Sequence, residues 1–244
     1  MRRYLRPIWW RVARPVHLPM ARRRIAATAA RTSLDEFVHA LWEYDGPSVY
    51  AEIAPMQIES ELAEFLGVVA ERRPRVVLEV GTATGGSLFG LAHVASPDAF
   101  LFTIDLPGAQ FGSGYPPPRA ALYRSFASEG QTIELLRGDS HSAEMRDRVL
   151  EQLGGRSIDL LFIDGDHSYD GSRRDFELYA PLVGDDGAIA MHDVNPHPDF
   201  GVHRLWQEIR GGYEEKGWTA QEIVHRADRP GYGIGVLASS TSAG

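Results

Sequence analysis

The 244 residues are enough for one α/β domain with a sizeable core plus extensions at either end. The chain has no cysteine, which excludes disulfides, thiolate metal sites and a cysteine nucleophile, so any metal must be held by carboxylates, histidines and water. The net charge of −8 is unevenly spread: Met1 to Leu34 carries nine arginines and no acid, which leaves about −17 on a body poorly suited to binding nucleic acid. No apolar run approaches bilayer-spanning length, and the chain is expected in the cytoplasm, soluble or peripheral.

In chain order, residues 1–32 form a basic arm in which arginine mixes with tryptophan, as in Ile8-Trp9-Trp10-Arg11 and Arg22-Arg23-Arg24. Such an arm would suit an anionic membrane surface or a partner subunit; it lacks the apolar stretch of a targeting peptide, and a poorly ordered extension is the plain alternative. Pro7, Pro15 and Pro19 are expected to keep any helix there short. Ser33 to Tyr44 reads as an amphipathic helix capped by Ser33, with Leu34, Phe37, Val38 and Leu41 at helical spacing. A second helix runs from about Pro55 to Arg72, and the turn Tyr44-Asp45-Gly46-Pro47-Ser48 makes the pair a helical flap over residues 33–73.

Over residues 74–240 the pattern changes to short β-rich runs: Arg75 to Val80, Phe100 to Asp105, Thr132 to Leu136, Ile158 to Ile163 and Ala188 to Met191. Helical stretches separate them: Gly86 to Val94, Pro118 to Glu129, Ala143 to Leu153 and Gly171 to Leu182. After a helix around Val202 to Lys216, Thr219 to His225 and Tyr232 to Leu237 read as an antiparallel hairpin. The alternation predicts an α/β fold: a doubly wound, Rossmann-like, seven-stranded and mostly parallel sheet with an antiparallel terminal strand and helices on both faces. Pro107 to Pro118 is too rich in glycine and proline for regular structure, and either borders the ligand crevice or simply crosses the surface.

The first strand, carrying Glu79, runs into a glycine-rich turn, Gly81-Thr82-Ala83-Thr84-Gly85-Gly86-Ser87, where missing side chains let backbone amides approach a ligand at a helix start. Asp105 closes the next strand at the distance expected of a ribose-binding acid. Dinucleotide enzymes share this logic, and Gly81, Ala83 and Gly86 form a degenerate version of their glycine pattern, although no nicotinamide-specific feature follows. A third strand ends in Arg137-Gly138-Asp139-Ser140, by itself a strand-ending turn with a helix cap.

The densest chemistry lies in Phe162-Ile163-Asp164-Gly165-Asp166-His167-Ser168-Tyr169-Asp170 and again in Met191-His192-Asp193. Both segments end neighbouring strands, so Asp164, Asp166, His167, His192 and Asp193 should converge on the crevice. Carboxylates packed this way repel one another unless they are protonated or share a cation, and oxygen ligands suit Mg²⁺ or a similar ion. A bound cation would lower a hydroxyl's pKa and leave a nearby His or Asp to remove its proton. Beyond the cluster, Arg173, Arg174 and Asp175 are expected on a solvated helix face, while His197, His203 and Trp206 follow in a region where a loop would cover an acceptor.

The spacing of Glu79, Gly81 and Gly85 resembles the first motif of class I S-adenosylmethionine (SAM)-dependent methyltransferases. That resemblance implies that Gly81, Thr82 and Ser87 contact the methionine part of the cofactor, that Asp105 holds the ribose hydroxyls, that Asp139 and Ser140 neighbour the adenine, and that Glu79, Gly85 and Asp164 also belong to the cofactor site. Phe162 to Gly171, Gly187 to Val194, Gly201-Val202-His203-Arg204-Leu205-Trp206 and Gly231 to Leu237 are similar to bacterial small-molecule O-methyltransferases related to the macrocin-type sugar enzymes. In that family a divalent ion is held at positions matching Asp164 and the pair His192-Asp193; His192 departs from the family's acid and lowers the negative charge of the site. The family's base matches Asp166 or His167, and His167 is favoured because its ordinary pKa lies near neutrality. By family analogy, Met56 and Gln57 belong to a flap that closes over the cofactor.

The function these features imply is transfer of a methyl group to a hydroxylated small molecule, a sugar or glycosylated natural product, by a homo-oligomeric enzyme using SAM and Mg²⁺. A nicotinamide-dependent oxidoreductase on the same sheet and a non-catalytic SAM-binding module are the alternatives.

Overall fold

The computed structural model describes residues 6–107 and 114–239, with side chains from residue 15 onward. The first five residues of the arm, the middle of the Pro107–Pro118 loop and Ser240 lie outside the described residues. Five strands run parallel: β1 (Val76–Val80), β2 (Phe100–Asp105), β3 (Thr132–Arg137), β4 (Ile158–Ile163) and β5 (Val183–His192). β6 (Trp218–Ile223) and β7 (Ile234–Ser239) complete a seven-stranded sheet of order β3-β2-β1-β4-β5-β7-β6, with β7 antiparallel to both its neighbours. Every residue of β1 is buried, as a central parallel strand covered on both faces requires.

Helices cover the two faces. On one lie α2 (Leu34–Trp42), α3 (Glu59–Arg72), α4 (Gly86–Val94) and the short α5 (Ala120–Tyr123); Phe37, Leu62, Phe65, Leu66 and Phe89 pack there against Leu101 and Phe162. On the other lie α6 (Ala143–Leu153), α7 (Tyr169–Tyr179) and α8 (Val202–Glu214), where Met145, Val149, Tyr179 and Trp206 pack against Leu78, Ile104, Leu161 and Ile189. Ser33 caps α2 by accepting from the Glu36 amide.

Three stretches differ from their sequence patterns. The arm forms a 24-residue helix, α1 (Arg6–Ala29), that runs through Pro15 and Pro19 instead of stopping at them. Both prolines are exposed, so water can reach the carbonyls they leave without partners, while Leu18, Ala21 and Ile25 bury the opposite stripe against the body. The expected helix from Pro118 to Glu129 is broken into two 3₁₀ turns around α5, the second of them at a point where the Ser125 hydroxyl takes the Leu122 carbonyl. β5 begins at Val183, five residues early, because its first turns carry exposed Asp185 and Asp186 and so hide its apolar pattern.

α3 is tied to the hairpin by a buried acid. The Glu61 carboxylate accepts the amides of His225 at 2.9 Å and Gly233 at 3.0 Å, joining the flap to both arms of the β6–β7 turn.

Candidate active site

The two-residue period of the strands decides which side chains meet. Val77, Leu101, Phe162 and Ala190 face the α3–α4 layer, so Glu79, Thr103, Asp164 and His192, each two positions further on, point to the same side at the carboxyl edge of the sheet. Glu79 is fully buried, and its Oε2 accepts from Thr103 Oγ1 at 2.8 Å; Thr103 in turn meets Thr82 Oγ1 at 2.6 Å. Burial pushes the Glu79 carboxyl up to about 8, against the Ser87 and Thr103 hydroxyls that favour its charged form.

The glycine-rich turn is shaped by close approaches. Gly81 has φ 100°, and a Cβ there would lie 2.0 Å from the Asp164 carbonyl oxygen, so the loop rests on the backbone at the end of β4. Gly85, at φ 87°, begins α4 with no side-chain cap, and the Tyr123 hydroxyl pins the turn by donating to the Ala83 carbonyl at 3.0 Å. Asp105 is buried at the end of β2, with its two oxygens accepting the Ala83 and Leu106 amides at 2.8 Å each, and burial raises its pKa. The Gly114 amide also donates to this carboxylate, which leaves room for one further donor. At the end of β3, Asp139 is exposed and accepts the His141 amide, while the Ser140 carbonyl accepts from Tyr179 Oη at 2.6 Å.

Beside this turn Asp164, Asp166, His167, Ser172, His192 and Asp193 line a narrow recess. His192 is buried, its Nδ1 3.0 Å from Asp164 Oδ1 and 3.1 Å from Asp193 Oδ1. Burial opposes its protonation, but the Asp164 charge and the contacts with both acids outweigh that and raise its pKa. His167, its side chain 44% exposed, sets Nδ1 2.5 Å from Asp193 Oδ2, and this contact raises its pKa as well. Asp193 is held below the usual carboxylate range: burial works against its charge, but the hydrogen bonds from His167 and His192 prevail. Asp193 also sits at φ 63°, rare for a residue other than glycine and an indication of a conformation imposed by the site. Asp166 is turned into the start of α7, where it accepts the Ser168 amide at 2.8 Å.

Asp164, His167 and Asp193 can each offer a ligand atom, all within 4.8 Å of one another. Two carboxylates and an imidazole fit a divalent cation. His192 lies against both acids as a cationic neighbour of that set.

Some residues named from the sequence take other places than expected, and Thr103 was not named at all. Gln57, in the flap, is buried and donates from Nε2 to Asp164 Oδ2, whereas Met56 is 63% exposed. Thr103 carries no motif and is evident only from strand pairing opposite Glu79. Asp175, expected on a solvated face, is fully buried 3.5 Å from His141, because α7 turns that position inward beneath Gly165. His203 donates from Nδ1 to the Val194 carbonyl, and Trp206 is a core residue that donates from Nε1 to Glu222.

Residues 78–194 match a family model described as a methyltransferase domain. That match covers just under half of the chain. Every candidate from Glu79 to Asp193 falls inside it, and Gln57 reaches it from outside. The O-methyltransferase TomG from Streptomyces achromogenes, involved in tomaymycin synthesis and solved with SAM, shares the fold at a TM-score of 0.57 and 19% identity over 86% of this chain and 91% of that one. An O-methyltransferase from Bacillus cereus in complex with SAH aligns at a TM-score of 0.54 and 18% identity, covering 86% and 92%. The uncharacterized protein y4gI of Sinorhizobium fredii (strain NBRC 101917 / NGR234) is 30% identical over 145 residues, 56% of this chain, which spans only 15% of that protein's length. Among the described residues no helix is long and apolar enough to cross a membrane.

Proposed function

We propose that this chain is a SAM-dependent O-methyltransferase that methylates a hydroxyl of a small molecule, a sugar or glycosylated natural product, with a divalent cation such as Mg²⁺ assisting. The observation that carries the reading is the seating of the Gly81 turn on the Asp164 backbone, which sets a cofactor loop directly against the cluster of acids and histidines. The chemistry of the groups present fits the cofactor. The uncapped start of α4 offers backbone amides to a carboxylate, Asp105 keeps room to accept a ribose hydroxyl, and Glu79 supplies buried acidity facing a cationic ligand.

When bound, SAM supplies an electrophilic methyl carbon on a sulfonium. His167 holds its Nδ1 against Asp193, which leaves Nε2 to take the proton of the acceptor hydroxyl as its oxygen bonds to that carbon. SAM would give up that methyl group and keep the carbon–sulfur bonding pair on sulfur, which balances the transfer. Asp193 orients the imidazole and stabilises the charge that develops on it. Asp164 and Asp193 would hold the cation, which would polarise the hydroxyl. The position of His192 between the same two acids favours a second reading, in which its imidazolium takes the place of the ion.

Calorimetric titration with SAM, in Mg²⁺ and again in EDTA, tests both. Binding in both conditions, with turnover lost only in EDTA, supports the metal-assisted form; turnover that survives EDTA supports the second. No SAM binding in either condition overturns the proposal.

A further inference from the structure

The arm of the chain is electrostatically opposite to the rest. Nine arginines precede the first acid, Asp35. They fall on or beside α1, which lies wholly before the matched segment and takes no part in the recess at Asp164. α1 shows the body a stripe of Leu18, Ala21, Ile25 and Thr28, all buried at the i, i+3, i+7, i+10 spacing of one helix face. On the opposite face Val16 is 60% exposed and Met20 44%, two of the four large apolar side chains left exposed among the described residues. Exposed Arg23 and Arg24 follow Met20 within about one turn.

An apolar stripe flanked by arginines is the arrangement that seats a helix in the headgroup region of an anionic bilayer, where guanidiniums meet lipid phosphates and the stripe enters the acyl boundary. Nucleic acid would make no use of the stripe and would be repelled by the acidic body. A second copy of α1 would bring two strongly basic arms together. We infer that the outward face of α1 docks this protein on an anionic lipid surface, held by Val16 and Met20 together with the flanking arginines.

Co-sedimentation of the full chain with phosphatidylcholine vesicles, with and without about 30% phosphatidylglycerol, tests this. Binding is expected only with the anionic lipid and should fall about tenfold or more between roughly 50 and 500 mM NaCl. Val16→Asp with Met20→Asp keeps every arginine and the whole buried stripe, so it should stay folded by circular dichroism yet lose about tenfold in vesicle binding. Arg23→Ser with Arg24→Ser should weaken binding at low salt. Failure of the unaltered chain to bind anionic vesicles at low salt, equal binding to neutral vesicles, or full binding by the aspartate variant would overturn the inference. So would light scattering that shows a dimer dissociated by the aspartate pair, since the stripe would then be covered by a second copy.

Discussion

Glu79 is an acid kept from water by the strands around it, and its protonation is therefore coupled to stability. Its carboxyl is pushed from an ordinary 4.5 to about 8 by burial, so the folded state holds a proton that the unfolded chain releases. The favourable contribution is complete below about 4.5 and is lost as pH rises through about 8. Denaturant midpoints measured at about pH 6 and pH 9 should therefore fall with pH, and Glu79→Gln, which stays neutral, should remove most of that slope. Under the proposed function, a different titration governs turnover. Because Asp193 is what raises the pKa of His167, Asp193→Asn should move the acid limb of kcat/KM to lower pH by about one unit while lowering kcat about 10- to 100-fold. An unmoved limb would show that His167 is not the group read in that profile.

Among the elements, α3 joins two functions on one short stretch. Glu61 in its first turn grips the β6–β7 hairpin, and Gln57, just before it, reaches Asp164. Removing the carboxylate orphans two backbone amides, one of them buried, so Glu61→Ala should cost about 2–4 kcal/mol in urea unfolding. Nothing in the sequence separates Glu61 from the neighbouring surface acids Glu59 and Glu64, since its partners lie more than 160 residues away. Asp175 escaped for the related reason that Arg173 and Arg174 beside it do face outward and set the apparent polarity of the helix. Strands such as Phe100–Asp105 and Ile158–Ile163 were legible to the residue, because their apolar runs stop abruptly at acids. The 3₁₀ turns around α5 were not, because a local hydroxyl decides them.

At the scale of the molecule, the alternation of strands and helices carried the layered fold, and the glycine turn and its following acid meet where the Ala83 amide donates to Asp105. What pattern alone could not give was contact between segments far apart in the chain: Gln57 on Asp164, Thr103 on Glu79, and His192 between two acids. The run of prolines and arginines in the arm gave no hint of a continuous helix, because the stripe that holds it needs the body to exist. The Gly81 turn pressed onto the Asp164 carbonyl has a consequence for how such a protein can diversify. Under the proposed function, donor end and proton-accepting end would share a single frame set by two central strands, so a new acceptor could not be accommodated by sliding one against the other. Change would come instead from residues 195–201, where Phe200 stacks on His167 and a substitution would alter what enters without disturbing the register of the strands.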